Sequence, residues 1–402
     1  MNSHAAFVVR LKLRPAGYRR MESLLGCLNW LYNQALENRK TAYEQRQESL
    51  SFYDQCKWLT QLRTANEHQL GEIAIGASRG MLKRLDLAFQ AFFRRVRAGE
   101  APGFPRFRPI SRCRTIDVAD PHNGMVRLHN GDYLIRLKGF PRLRVRSARP
   151  LPLHAPLKAV RLTQRGHRWE ASLVYAVDKQ PLAPAVAAVG IDLGIRKRMT
   201  CSDGTVVARA QRDWKRKRRL QRSVSRGQKG SATRRKRVAA LQRFDRKQYI
   251  SERNACHRAT SGIIRQHGLI AVEALKVTNM TRSARGTADR PGSNVKAKAG
   301  LNREVLAQNW SLLRSQLRYK AAWAGREYVE VDPKHTSQDC SRCGARNDPG
   351  RSETYRCRAC GLVADRDVNA ATNILAAGVI AAGASTWVVR PCVAPEPYAR
   401  VA

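Results

Sequence analysis

The 402-residue sequence predicts a multi-domain protein of mixed α/β class with a separate all-helical domain. Three patterns predict this architecture. Apolar residues recur at helical spacing from about residue 15 to residue 98, and they alternate with period two from residue 115 to residue 177. After residue 183, continuous apolar runs alternate with long helical segments, which is typical of an α/β domain. Because strands precede and follow the helical region, we expect a helical domain inserted into a β-rich one.

The chain is strongly basic. Lys and Arg number 75 against 31 acidic residues, which gives a formal net charge of +44 and a pI near 11.1. Because each cation that meets a phosphate releases condensed counterions, a long nucleic acid is the natural partner. An anionic membrane surface and a merely solvated surface are the alternatives. The charge is spread along the chain and not confined to a tail, which favours nucleic acid.

No segment has the pattern of a membrane span or a secretory signal. The nearest apolar run, at residues 379–389, is well short of the roughly 20 residues needed to cross a bilayer. Residues 1–14 lack the apolar region of a signal peptide. Of the ten cysteines, four form two Cys-x-x-Cys pairs, and the other six are scattered and expected to be thiols. We therefore expect a cytoplasmic protein without a membrane partner.

The first half of the chain contains the strands that bracket the helical region. The alternating segment FVVRLKL at residues 7–13 predicts a strand, and the Gly- and Pro-containing stretch at 99–109 ends the helical region. Residues 160–163 and 169–174 flank a turn at Gly166 and predict a hairpin. The first strand is expected to join the same sheet as this hairpin.

The second half predicts strands and long basic helices in alternation. Strands are expected at 186–191, 199–201, 205–207, 269–272 and 328–331, and helices at 211–225, 233–267, 302–324 and 367–377.

Four cysteines have the spacing of a structural zinc site. Two Cys-x-x-Cys turns each place two thiolates on one edge of a tetrahedron, and each is followed by a glycine, as a tight knuckle turn requires. The loop between the pairs is polar and could not form a core unaided, so metal must supply its folding energy. Four thiolates leave no open position, which argues against catalytic zinc, and a pair of redox dithiols is the weaker alternative. The predicted zinc ligands are Cys340, Cys343, Cys357 and Cys360.

Three carboxylates stand at the ends of predicted elements. Asp192 ends an apolar strand in VGIDLG, Glu273 ends a second in LIAVEAL, and Asp367 opens the last helix. Singly, each has an ordinary explanation, as a solvated strand end or a helix N-cap. Together they would raise one another's pKa unless divalent cations neutralised them. Such a cluster suits two Mg²⁺ ions about 4 Å apart in phosphodiester hydrolysis.

At these residues the sequence resembles the TnpB family, transposon-encoded proteins related to the type V CRISPR effector nucleases. The motifs cover most of the C-terminal half, and the opening strand and the GFPRF segment at 103–107 match more loosely. The specific motifs are GIDLGI (190–195), VEALKVTNM (272–280), AKAGLNR (297–303), YKAAWAG (319–325), VDPKHTSQDCSRCG (331–344) and DRDVNAATNIL (365–375).

The resemblance implies an RNase H-like nuclease domain of the RuvC type with a catalytic triad of Asp192, Glu273 and Asp367. Asp365 competes for the third position, but the family's acid lies two residues before the asparagine, here Asn369. Two Mg²⁺ ions, or Mn²⁺ in their place, are implied as cofactors beside one structural Zn²⁺. His335 stands where the family more often has tyrosine, and this departure does not touch the triad.

The resemblance also implies partners and a domain plan. The partners are a guide RNA from the transposon end and a double-stranded DNA target beside a short motif, bound by a monomer in the prokaryotic cytoplasm or on its nucleoid. The implied plan is a wedge-domain strand at 1–14, a helical recognition domain at 15–105, a β-barrel-like remainder of the wedge domain at 106–182, a nuclease domain at 183–335 with a basic helical hairpin at 209–267, a zinc ribbon at 336–363, the end of the nuclease domain at 364–382 and a flexible tail at 383–402.

Nucleic acid is expected to contact the basic hairpin and the GFPRF segment. Trp214, Phe104 and Phe107 could stack on bases or belong to the core. The predicted contact residues are Lys215, Arg216, Lys217, Arg218, Arg219, Arg234, Arg235, Lys236, Arg237, Phe104 and Arg106.

These features favour an RNA-guided, Mg²⁺-dependent DNA endonuclease. A transposase that joins strands with the same fold and metals is one alternative. A regulator that binds DNA under RNA guidance without cutting it is another, and the intact acids argue against it.

Overall fold

The computed structural model describes residues 2–147, 149–166, 168–178, 180–209, 212–348, 350 and 352–383. The chain separates into two compact units, residues 1–178 and residues 179–402. The predicted tail at 383–402 lies, apart from Gly383, outside the described residues.

The first unit is built on one antiparallel sheet. Its order is β2-β6-β7-β1-β5-β4-β3, and the N-terminal strand lies at its centre, paired with β7 and β5. The prediction that this strand joins the hairpin's sheet is therefore confirmed. The strands are β1 (Asn2–Lys12), β2 (Thr115–Val118), β3 (Val126–His129), β4 (Asp132–Ile135), β5 (Leu143–Arg146), β6 (Leu157–Arg165) and β7 (Arg168–Asp178).

The helical region lies between β1 and β2 in sequence and shares one apolar core with the sheet. Its helices are α1 (Pro15–Arg46), α2 (Phe52–Thr64) and α3 (Ile75–Arg97). Gly80 of α3 lies so close to β2 that an added Cβ would overlap the carbonyl oxygen of Asp117. In the described residues no pairing joins β2 to β3 at the two ends of the sheet. The barrel-like closure and the recognition role of the helices thus stay predictions.

The second unit contains a five-stranded mixed sheet in the order β10-β9-β8-β11-β12. β8, β11 and β12 run parallel, whereas β9 runs antiparallel to β8 and β10 antiparallel to β9. β8 and β11 are buried, as their continuous apolar sequences predict. The strands are β8 (Ala188–Asp192), β9 (Lys197–Cys201), β10 (Val206–Ala208), β11 (Leu269–Glu273) and β12 (Glu327–Val331), followed by the separate hairpin β13 (Thr354–Arg356) and β14 (Val363–Asp365).

Helices cover both faces of this sheet. α5 and α8 form one apolar core with it, and α9 packs on the other side against Ala188, Leu269 and Ala271. The helices are α4 (Trp214–Ser225), α5 (Ala232–Gln266), α6 (Val277–Met280), α7 (Val295–Ala307), α8 (Trp310–Ala324) and α9 (Arg366–Ala381).

The predicted single helix at 302–324 is wrong. Two helices meet here, α7 and α8, and Asn309 between them has a left-handed backbone with φ of 58°. Asparagine tolerates this conformation better than most residues, so the break carries no Gly or Pro signal. No helix in the described part of the chain is long and apolar enough to cross a membrane.

Candidate functional site

Two of the three predicted acids lie side by side at one edge of the second sheet. β8 and β11 are adjacent and parallel, with Ile191 paired to Val272, so the next residues, Asp192 and Glu273, end neighbouring strands at the same edge. Glu273 is buried, and its carboxylate accepts a hydrogen bond of 2.8 Å from the hydroxyl of Thr336. The topology therefore brings together acids that are 81 positions apart in sequence.

The third acid comes from the first turn of α9. The sequence left open whether Asp367 is a helix N-cap, and the N-cap is in fact Asp365, whose carboxylate accepts from the backbone N–H groups of Asp367 and Val368 at 2.9 and 3.2 Å. Lys197 of β9 lies 2.7 Å from Asp365 and 3.3 Å from Asp367. Asp365 is engaged as a cap, and it is the negative charge of Asp367 that contributes to the raised pKa of Asp192.

The electrostatics of the site report this convergence. Burial, followed by the negative charges of Glu273 and Asp367, raises the pKa of Asp192 to about 8. Burial also raises the pKa of Glu273, against the opposing hydrogen bond from Thr336. Without a cation, Asp192 therefore holds a proton near neutral pH, and a divalent cation would replace it.

The three acids lie too far apart for one small ion to bind all of them. In the described residues, the carboxylate oxygens of this trio do not all lie within 4.8 Å of one another, as the ligands of a single small ion would. Two ions about 4 Å apart, each bound at about 2 Å, accept ligand oxygens up to about 8 Å apart. Oxygen donors alone also suit Mg²⁺ or Mn²⁺.

Close packing of α9 on the sheet fixes Asp367 in place. An added Cβ on Gly190 of β8 would overlap the carbonyl oxygen of Ala371, and one on Gly378 would overlap the side chain of Ala271. These glycines allow the helix backbone to lie directly on the strands. Gly190 is thus the residue of the GID motif that lets α9 approach the strand carrying Asp192.

Three polar residues that the sequence analysis missed join the acids to the cysteine segment. Thr336 contacts Glu273, as described above. Asn373 of α9 donates to the carbonyls of Thr336 and Asp339 at 2.9 and 2.7 Å, and Asn369 donates to Asp339 at 2.9 Å. The Asn369 side-chain oxygen accepts from the N–H of Ser341 at 2.9 Å. The spacing of the two asparagines, four apart on a helix that opens with an acid, was the only sequence signal for this role.

The four cysteines form the cluster that their spacing predicts. Cys340 and Cys360 lie 3.7 Å apart at sulfur, Cys343 and Cys357 lie 3.6 Å apart, and all four sulfurs lie within 4.8 Å of one another. Tetrahedral thiolates at 2.3 Å from zinc would be about 3.8 Å apart. The cluster is far too open for disulfides and has the dimensions of a zinc site.

Both cysteine pairs form the same turn. The N–H of Gly344 donates to the carbonyl of Cys340 and that of Gly361 to the carbonyl of Cys357, and both glycines have positive φ, 74° and 71°. Backbone N–H groups of Cys360 and Ala359 lower the pKa of Cys357 to about 6, which favours its thiolate. The two turns therefore bring four thiols together where a cation could bind.

The predicted nucleic-acid residues of the hairpin fall into two groups. Lys217 pairs with Asp245 at 2.9 Å, and Arg237 donates to the carbonyl of Ser223 at 3.0 Å, so these two help to hold α4 against α5. Arg234 is half-buried. The remaining members are exposed on α4 and α5: Lys215, Arg216, Arg218, Arg219, Arg235 and Lys236.

The GFPRF segment lies in the first unit. Phe104 is 46% exposed and packs edge-on against Phe89 and Phe92 of α3, with ring centroids 5.6 and 5.4 Å apart. Phe107 is also exposed, with the Lys40 ammonium 5.4 Å from its centroid. Arg106 is exposed. Both rings are therefore partly packed and partly open, and their stacking on bases stays a prediction.

Comparison of the sequence with known protein families finds three matching family models. Family models match at residues 310–374 (Cas12f1-like, TNB domain), 172–284 (described as "Probable transposase") and 1–48 (described as a helix-turn-helix domain). Over 1–48 the structure forms one strand and one uninterrupted helix, α1, so the last description does not fit this chain's geometry.

The chain is 34% identical over 393 residues to the Escherichia coli protein named RNA-guided DNA endonuclease InsQ, and the match covers 95% of each chain. The chain belongs to the TnpB family. A Streptomyces pristinaespiralis protein named RNA-guided DNA endonuclease is 32% identical over 376 residues, covering 91% of this chain and 87% of its own length.

The fold of this TnpB-family chain also matches a solved structure of a Cas12f1–sgRNA–target DNA complex. The TM-score is 0.56 at 13% sequence identity, covering 90% of this chain and 83% of that one. The likeness concerns the fold alone. The TNB-domain match at 310–374 contains both cysteine pairs and Asp367.

Proposed function

We propose that this chain is an RNA-guided DNA endonuclease whose active site consists of Asp192, Glu273 and Asp367. The observation that carries the proposal is the convergence of three carboxylates at one sheet edge, where burial and then the charges of Glu273 and Asp367 raise the pKa of Asp192 to about 8. Relatives named RNA-guided DNA endonucleases match nearly the whole chain and support the guide RNA and the DNA target.

The three acids would hold two Mg²⁺ ions. Bound ions would supply the Lewis acidity needed to activate a water molecule and to stabilise the leaving 3′ oxygen. The protein contributes fixed ligands: Thr336 orients the Glu273 carboxylate, and Asp365 caps α9 and anchors Lys197 beside Asp367. Lys197 supplies a cation that offsets the like charges of the two aspartates. One structural zinc ion would occupy the four cysteines.

Cleavage of a programmed target tests the proposal. The protein is purified with its RNA, offered a DNA duplex that matches the guide, and compared with Asp192→Asn and with Asp289→Asn, a control acid exposed on a loop of the same unit. Asp192→Asn should lower the cleavage rate by more than about 100-fold, since even groups behind metal ligands contribute about 10–100-fold. Asp289→Asn should cut normally. Cleavage that survives in Asp192→Asn, or that needs no RNA, would refute the proposal.

A transposase is the second candidate, favoured by the "Probable transposase" description of the model matched at 172–284. The same reactions distinguish the two functions, because strand transfer yields joined DNA products and hydrolysis yields only cut ones. Guided binding without cutting in Mg²⁺ or Mn²⁺ would instead identify a DNA-binding regulator.

A further inference from the structure

A small aromatic pocket lies between the start of α4 and the middle of α5. Its volume is about 170 Å³, below the 300–1,000 Å³ range of sites for drug-sized ligands, so it suits one small planar group. The residues that matter to its chemistry are Arg212, Trp214, Lys217, Phe244, Asp245 and Tyr249.

The three rings of this pocket are not explained by core packing. Within the described residues, Trp214, Phe244 and Tyr249 belong to none of the apolar core clusters of the second unit, nor do they pack against them. Tyr249 is 57% exposed, and Trp214 is half-buried. Aromatic rings held outside a core on a polar helical hairpin need another reason to be there.

Cations surround the indole ring. The charged groups of Arg212, Lys217 and Arg303 lie 5.8, 5.9 and 5.8 Å from the ring centroid of Trp214. Arg212 also has a buried Nε–H without a hydrogen-bond partner in the described structure. The pocket therefore combines a stacking surface, an unused donor and positive charge.

The charge of the surrounding hairpin indicates that the ligand is an anion. Residues 212–247 contain sixteen Lys and Arg and two acids. Both acids are engaged internally: Asp213 caps α4 by accepting from the N–H of Arg216 at 2.8 Å, and Asp245 pairs with Lys217 at 2.9 Å. The hairpin thus presents almost unopposed positive charge to phosphates on either side of the pocket.

We infer that this pocket binds one unpaired nucleobase of a single-stranded nucleic acid, stacked on Trp214, while the neighbouring cations hold its flanking phosphates. Stacking on aromatic rings beside a basic track is how proteins bind single strands without reading their sequence. The inference rests on the nucleic-acid ligand of the proposed function, but it does not depend on cleavage.

The test measures how much the bases add to binding. The full-length Asp192→Asn protein, stripped of RNA at high salt, is titrated by fluorescence anisotropy with three oligomers of equal length: mixed-sequence RNA, the same sequence as DNA, and an abasic sugar-phosphate strand. Trp214→Leu, added to this background, should weaken binding of a base-containing strand roughly 5- to 100-fold, the range for loss of one stacked base. Binding of the abasic strand should not change, and Trp214→Phe should retain most of the affinity.

Two controls separate stacking from folding and from charge. Circular dichroism and thermal melting establish that each variant is folded. In addition, 5-iodouridine RNA is crosslinked to the Asp192→Asn protein with Trp214 intact, and the crosslinks should map to the peptides carrying Trp214 or Tyr249. Lys236→Ala, at an exposed site, should weaken all three oligomers equally. A loss of affinity in Trp214→Leu supports the pocket whether it affects RNA, DNA or both, and it identifies the type of strand that the pocket binds.

The inference is overturned if Trp214→Leu binds base-containing strands as tightly as the parent protein does, or if it loses affinity for the abasic strand to the same extent. Crosslinks that avoid both peptides would overturn it as well. Because no target DNA is present and the protein carries Asp192→Asn, failure of the nuclease proposal leaves this measurement intact.

Discussion

The Glu273 carboxylate, a proposed metal ligand, is held by a single hydroxyl. A buried acid is energetically costly unless it has a hydrogen-bond partner. The Thr336 hydroxyl is that partner, 2.8 Å from the Glu273 carboxylate. The backbone carbonyl of Thr336 in turn accepts a hydrogen bond from Asn373. The threonine is itself buried, so its rotamer is restricted. The hydroxyl therefore orients the carboxylate before any cation arrives.

We predict that Thr336→Val lowers the cleavage rate about 10- to 100-fold and raises the Mg²⁺ concentration for half-maximal activity. Valine keeps the shape of threonine but cannot donate to Glu273, and loss of such a partner typically has this effect. Mg²⁺ titrations of guided cleavage provide the measurement. Thr372→Val is the control, because the Thr372 hydroxyl only donates to the Val368 carbonyl within α9. Equal behaviour of the two variants would contradict an orienting role.

At this scale the sequence predicted the acids but not their supports. Carboxylates at the ends of apolar strands stand out in a basic chain, so Asp192 and Glu273 could be found without a structure. Thr336 could not, because a hydroxyl is common and its role here depends on a contact made by the fold. The spacing of Asn369 and Asn373 indicated a shared helix face but not the carbonyl groups that they bind. The structure adds that Asp365 caps α9, whereas Asp367 as the third catalytic acid stays a prediction.

Among the elements, α9 does most to assemble the site. It packs directly on β8 and carries Asp367 in its first turn, while its two asparagines hold the segment that leads into the cysteine cluster. Its contact with β8 depends on the missing side chain of Gly190.

We predict that Gly190→Ala lowers the free energy of unfolding by about 1–3 kcal/mol, the usual cost of overpacking, and lowers cleavage strongly. The new methyl group would push α9 away from the strand that carries Asp192. Chemical denaturation and the cleavage assay report the two effects. Gly262→Ala is the matched control, because an added Cβ there meets no atom within 4 Å in α5. It should leave activity unchanged and stability equal or slightly higher.

The cysteine ribbon (residues 336–363), the proposed zinc site, is the second element that contacts α9. We predict that Cys357→Ala removes the bound zinc and lowers cleavage at least about tenfold, because the loosened segment no longer fixes Asp339 and Ser341 against α9. Zinc content by mass spectrometry, guide-RNA binding and cleavage are measured together. RNA binding should persist. Cys27→Ala is the control, because Cys27 lies in α1 of the other unit, and this variant should retain bound zinc. A zinc-free variant that cuts at the normal rate would show that the ribbon is peripheral.

Most elements of the second unit were predictable, but α6, the β13–β14 hairpin and the break between α7 and α8 were not. The strands of the second unit follow their apolar runs, and the sulfur cluster follows its spacing. The break between α7 and α8 was missed because the stretch around Asn309 lacks the Gly or Pro that usually marks an interruption.

For the whole molecule, the net charge of +44 sets how binding responds to salt. A protein that neutralises 6–10 phosphates loses about 10³–10⁵ in affinity between 50 and 200 mM salt. The structure divides the predicted nucleic-acid-binding residues into exposed cations and cations used within the hairpin, so charge can be removed from one group without the other.

We predict that replacing five exposed hairpin cations with glutamine makes the plot of log affinity against log salt for single-stranded RNA shallower by up to about 3.5, because each phosphate that the protein neutralises contributes about 0.7 to the slope. Arg237→Gln is the control, because this side chain donates to the Ser223 carbonyl and should change stability more than slope. Binding is measured across a series of KCl concentrations. An unchanged slope in the fivefold variant would mean that nucleic acid lies elsewhere on the protein. The five substituted residues are Lys215, Arg218, Arg219, Arg235 and Lys236.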